Sequence, residues 1–129
     1  MRMKKNGTDI KERFILLLFA IAVGLALTMG VLCAGAWAVT KYDVNETWYL
    51  WILAGAVCIG GIAASLVFTF KTRLKGIAAG AISSGVHAVL AFLICLIVNG
   101  GAVSGRLIGI CVVSLLLGTV TGIVVRNVR

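Results

Sequence analysis

Four long apolar runs, almost free of charge and in a chain with no proline anywhere, constrain this protein more than any other feature. They cover roughly Phe14–Thr40, Thr47–Phe70, Gly76–Val98 and Arg106–Val125. A bilayer hydrocarbon core about 30 Å thick is crossed by about 20 mostly apolar residues in a helix, and each run reaches that length. Membrane β-strands need only about 10 residues of alternating polarity. These runs are continuous, and without proline nothing in them must break a helix. The sequence therefore predicts an all-α, polytopic membrane protein.

Composition agrees. Of the 129 residues, 61% are hydrophobic and 12% charged, where soluble domains carry roughly a quarter charged residues. Length allows one domain. A soluble enzyme, a disordered chain, a collagen and a secreted disulfide scaffold are all poor fits. The basic start followed by Ala34-Gly35-Ala36 has a signal-peptide look, but its apolar run exceeds the about 7–15 residues of a signal h-region. It is read as the first span.

The net charge of +8 is clustered. Arg2, Lys4, Lys5, Lys11 and Arg13 precede the first run, Lys71, Arg73 and Lys75 lie between the second and third, and Arg126 and Arg129 follow the fourth. Only Lys41 and Arg106 fall on the opposite side of a four-span arrangement. The positive-inside rule then places both termini and the Lys71–Lys75 loop in the cytoplasm. The predicted organisation is a basic cytoplasmic segment over residues 1–13, a transmembrane domain over 14–125 and a cytoplasmic end over 126–129. With connections of a few residues, the spans form an antiparallel four-helix bundle, N-in/C-in. The bilayer is the first expected partner, with Lys71, Arg73 and Lys75 contacting lipid headgroups. Nucleic acid is not expected, because basic and aromatic residues are not interleaved over a surface.

On the opposite side, Trp37, Tyr42, Trp48, Tyr49 and Trp51 gather where amphipathic rings favour the headgroup layer. Between them, Asp43, Asn45 and Glu46 read as helix-start chemistry, since short polar side chains satisfy free backbone N–H groups. The turn Asn99–Arg106 contains Gly100-Gly101.

In lipid, helices associate through small residues that allow close backbone approach. Each span carries such a ridge at a spacing of four, which keeps it on one face: Ala26, Gly30, Ala34 and Ala38; Ala56, Gly60 and Ala64; Gly76, Gly80, Ser84 and Ala88; and Ser114, Gly118 and Gly122. Packing within the bundle is one reading. The other is that one strip, Gly118/Gly122 before the rest, docks a partner or a second copy.

His87 is the one ionisable side chain near the middle of a span. An intramembrane ionisable group points to function by default, as a proton site, ligand contact or pH sensor. The structural alternative is a neutral imidazole bonded across the bundle to a hydroxyl. Thr28 and Ser114 fall at similar depth, and Ser83 and Ser84 lie one turn away. No carboxylate lies inside a span, since Asp9, Glu12, Asp43 and Glu46 all fall outside, which disfavours a proton-coupled multidrug transporter. Cys33, Cys58, Cys95 and Cys111 have no metal-ligand spacing and read as small hydrophobes. No catalytic motif, cofactor fingerprint or metal set is present.

Two stretches carry a resemblance. One is Cys58-Ile-Gly-Gly-Ile-Ala-Ala64, the basic loop, and Leu74-Lys-Gly-Ile-Ala-Ala-Gly80. The other is Leu115-Leu-Leu-Gly-Thr-Val-Thr-Gly-Ile-Val-Val-Arg-Asn127. Together they resemble the YrzE-like family of small four-helix membrane proteins of Gram-positive, Firmicutes-type bacteria, over roughly the second half of the chain. The ending departs from that pattern at Thr121, where a second glycine is usual, and at Arg126. The resemblance implies a four-span fold in a bacterial plasma membrane and supplies no catalytic residues.

Two functions follow as expectations. The first is a non-enzymatic accessory or interaction subunit, paired with itself or with another membrane protein. The second is a small homo-oligomeric transporter, channel or lipid-translocating protein that uses the His87 face.

Overall fold

A computed structural model describes residues 2–43, 45, 47–98 and 100–128, with side chains from Ile10 onward. The side chains of Arg2, Lys4, Lys5 and Asp9, together with Glu46, Asn99 and Arg129, lie outside the described residues. The described chain is all-α: α1 Arg2–Tyr42, α2 Thr47–Lys71, α3 Gly76–Val98 and α4 Gly105–Val128. Each of the four has a stretch long and apolar enough to cross a membrane, that of α1 being Ile10–Tyr42.

Helix ends follow local chemistry. α1 begins at Arg2, well before the expected span start at Phe14, and runs through Asn6-Gly7-Thr8-Asp9, residues of low helix propensity. It ends at Asp43, whose φ of 50° is left-handed and whose N–H donates to the Val39 carbonyl at 3.1 Å. Short polar residues tolerate that conformation. Asp43 thus terminates α1, where the sequence suggested a start for α2. Gly100 and Gly101, at φ 66° and 89°, end α3, and the Gly101 N–H reaches back to the Leu96 carbonyl at 2.8 Å. Ser104 caps α4: its Oγ accepts from the Arg106 N–H at 3.2 Å.

The interior is unlike that of a soluble protein. Its largest fully buried side chains are His87, Thr69, Ser65, Ser83, Ser84 and Ser114, and its buried apolar residues are mostly alanines such as Ala20, Ala56, Ala64 and Ala79. Large apolar side chains, among them Leu18, Phe19, Ile77, Leu93, Ile97 and Leu116, point outward. Soluble monomers do not leave such a surface bare. A bundle in hydrocarbon has no reason to hide Leu from lipid and packs through small residues and interhelical hydrogen bonds instead.

Close approach explains where the glycines fall. A Cβ on Gly24 would lie 2.7 Å from the Gly60 carbonyl, and one on Gly80 would lie 2.7 Å from the Gly118 carbonyl. Gly76 faces Gly122 across the same α3–α4 seam. Ser65 of α2 donates to the Gly118 carbonyl at 2.6 Å, joining α2 to α4. Near the other end of the α1–α2 seam, Gly35 meets Ile52.

Candidate functional site

The middle of the bundle closes around His87. Its side chain has no exposed surface, and the helices on either side make room for the ring with glycine. A Cβ on Gly60 would sit 2.7 Å from Nε2 and would collide with the Thr28 hydroxyl. One on Gly24 would lie 3.2 Å from Nδ1, and one on Gly61 3.8 Å from Cδ2. The imidazole therefore occupies a slot cut by three glycines from α1 and α2.

One side chain completes the contact. Thr28 Oγ1 lies 3.3 Å from His87 Nε2 and donates its single proton to the Gly24 carbonyl at 2.8 Å. With that proton committed, the Thr28 oxygen acts as acceptor and Nε2–H as donor. This tautomer leaves Nδ1 as a bare acceptor, and Nδ1 has no hydrogen-bond partner. The Val57 carbonyl accepts from Ser114 Oγ at 3.2 Å.

The other expected members of the polar site are placed apart from the imidazole. Ser83 folds back on its own helix, to the Ala79 carbonyl at 2.9 Å and the Gly80 carbonyl at 3.3 Å. Ser84 donates to the Gly80 carbonyl at 2.6 Å and also approaches the Leu115 carbonyl of α4 at 3.4 Å. Ser114 serves Val57. Of the four hydroxyls considered from the sequence, Thr28 is the one bonded to His87. Ser65, Gly24 and Gly61 were not singled out as site residues. A spacing of four could have found Gly24, since Ala20, Gly24 and Thr28 form a small-residue line of their own on the buried side of α1.

That line corrects the expected ridge of α1. Ala26, Gly30 and Ala34 are exposed and line an outward groove of about 450 Å³ with Val23, Leu27 and Val31. The chain has two lines of small residues on α1, and only the one bearing Gly24 complements Gly60. The ridges of the other helices are buried throughout: Ala56, Gly60 and Ala64; Gly76, Gly80, Ser84 and Ala88; and Ser114, Gly118 and Gly122. Gly118 faces Ser84, and Gly122 faces Gly76 and Gly80.

At the end of the bundle where α1 begins, a cavity of about 570 Å³ is lined by Glu12, Arg13, Leu16, Lys71, Thr72 and Arg73. Lys71 and Arg73 reach it, and Lys75 does not line it. At the opposite end Thr47, Trp51 and Arg106 border a mostly apolar cavity of about 510 Å³ between α2 and α4. Cys33, Cys58, Cys95 and Cys111 are free thiols, and among the described residues no group of His, Cys, Asp and Glu could hold a metal.

No protein-family model, curated protein or solved structure matches the chain.

Proposed function

We propose that this chain is a non-enzymatic accessory subunit of a bacterial membrane complex, docking a transmembrane helix of its partner on the outer face of α1. One contrast carries the reading. Three of the four small-residue ridges are filled by neighbours within the chain, and the ridge Ala26, Gly30, Ala34 is left open along a groove. Small residues at a spacing of four are the usual seat for a second helix in lipid. In this reading the helices run antiparallel in the plasma membrane with both termini cytoplasmic, as the basic clusters at one end require. The glycine pattern around Gly60 and Gly118 supports kinship with the YrzE-like proteins.

A cross-link tests it. Exposed Cys33 lies three residues beyond Gly30 on α1, so a thiol-attached photo-cross-linker placed there in native membranes should trap the occupant, and Cys33→Ser should abolish trapping. A homodimer band identifies a second copy and a heavier band identifies another subunit. Gly30 has nothing within 4 Å, so Gly30→Leu should keep the fold and lose the partner. A monodisperse monomer that cross-links to nothing contradicts the proposal.

A second reading makes the chain a small oligomeric transporter, channel or lipid-translocating protein. It is supported by a fully buried imidazole with one ring nitrogen unpartnered, an arrangement suited to proton or ligand exchange. Flux in liposomes that is unchanged by His87→Ala removes His87 from any such pathway.

A further inference from the structure

The cavity at the α1 start joins charges that are far apart in sequence. Arg13 comes from α1, and Lys71 and Arg73 come from the end of α2 and the link that follows it. Three cations against Glu12 leave the wall net positive. Thr72, which also lines it, is 3% exposed, yet its Oγ1 has no hydrogen-bond partner. A buried hydroxyl without a partner is costly, and here it borders a cavity walled by cations. An oxyanion answers both features.

A second cavity continues the first. About 320 Å³ in volume, it shares Glu12, Leu16 and Lys71 and adds Ile15 and Phe19. The Lys71 ammonium lies over the Phe19 ring, 5.2 Å from its centroid, at the boundary between the two. The polar chamber thus opens into an apolar slot beside the hydrophobic stretch of α1. Free phosphate has no use for that slot, and Glu12 would repel a dianion. A phosphodiester with an acyl chain suits both parts, and its headgroup hydroxyls give Glu12 something to accept from.

We propose that this pair of cavities binds one anionic phospholipid, its phosphodiester held by Arg13, Lys71, Arg73 and the Thr72 hydroxyl, its acyl chain lying along Ile15, Leu16 and Phe19. The site narrows the expected lipid contact of the loop: Arg13 joins it and Lys75 is outside. Basic pockets between spanning helices are the usual form of headgroup recognition. The proposal rests on the membrane-spanning reading and is independent of the α1 partner, so a negative lipid assay leaves the Cys33 cross-link as it was.

The full chain, delipidated in detergent, is titrated with dioleoyl phosphatidylglycerol, dioleoyl phosphatidylcholine, dihexanoyl phosphatidylglycerol or inorganic phosphate. Bound lipid is read by native mass spectrometry and stability by thermal unfolding. Dioleoyl phosphatidylglycerol should bind and stabilise most. Arg13→Gln with Arg73→Gln should weaken it about tenfold or more, Thr72→Val should weaken it measurably, and Lys75→Gln should match the parent. Should the double variant fail to fold, the nearly isosteric Thr72→Val decides alone. Equal binding of both dioleoyl lipids, an equal loss with Lys75→Gln, or full stabilisation by inorganic phosphate would overturn the proposal, the last by showing an ion site in place of a lipid site.

Discussion

Thr28 on α1 and His87 on α3, separated by 59 positions in sequence, meet at 3.3 Å in the middle of the bundle. The contact exists because Gly24 and Gly60 bring the α1 and α2 backbones together around the ring. A polar pair inside hydrocarbon is held by packing as much as by its hydrogen bond, and the two contributions can be separated by substitution.

Thr28→Val removes the hydrogen bond and nearly preserves shape. It should cost about 0.6 kcal/mol, the average for interhelical hydrogen bonds in membrane bundles, and no more than about 1.7 kcal/mol, the largest such value. A double-mutant cycle with His87→Phe, read by reversible unfolding in detergent, should return a coupling of that size. A coupling near zero would show that the 3.3 Å contact contributes no stability.

Gly60→Ala should be far more damaging, because its Cβ collides with Thr28 and approaches the His87 ring. Overpacking of this kind costs about 1–3 kcal/mol. Gly55→Ala and Gly109→Ala, where nothing lies within 4 Å, should be neutral or stabilising by up to about 1 kcal/mol through helix propensity. The same unfolding measurement compares all three, and equal effects would contradict the packing described here.

Ser65→Ala tests the α2–α4 seam. The buried 2.6 Å bond from Ser65 to the Gly118 carbonyl should be worth about 0.5–1.5 kcal/mol. Thr121→Ala, which loses only a bond to the carbonyl one turn back on its own helix, should change stability by less. Parity between the two variants would argue that Ser65 makes no interhelical contact.

Gly118→Ile and Gly30→Leu separate folding from association. A side chain at position 118 meets Ser84, so this variant should unfold α4 from α3 and become protease-sensitive. Gly30→Leu should resist protease like the parent and lose its Cys33 cross-link. A folded Gly118→Ile chain that has merely lost a partner would return the docking role to the Gly118/Gly122 strip.

Much of this architecture was legible in the residues. The four helices follow from run length and the absence of proline, and α2 and α3 begin at Thr47 and Gly76 as their hydropathy suggests. Packing faces were harder to read. A spacing of four marks both Ala26–Gly30–Ala34 and Ala20–Gly24–Thr28, and only the three-dimensional fit to Gly60 chooses between them. Depth along a helix brought Thr28, Ser83, Ser84 and Ser114 together as candidates for His87. Depth says nothing about rotation, and rotation turns both serines of α3 toward backbone carbonyls. Arg13 was counted as a topogenic charge, since no local pattern shows that α1 carries it to the link between α2 and α3.

The central claim is a four-span bundle with both ends on the cytoplasmic side. It is tested most directly by fusing a reporter pair to the last residue, one partner fluorescent only in the cytoplasm and the other enzymatically active only outside. A fluorescent, enzymatically silent C-terminus in carbonate-washed membranes is the predicted result. An active external reporter, or a chain released by the wash, would contradict it.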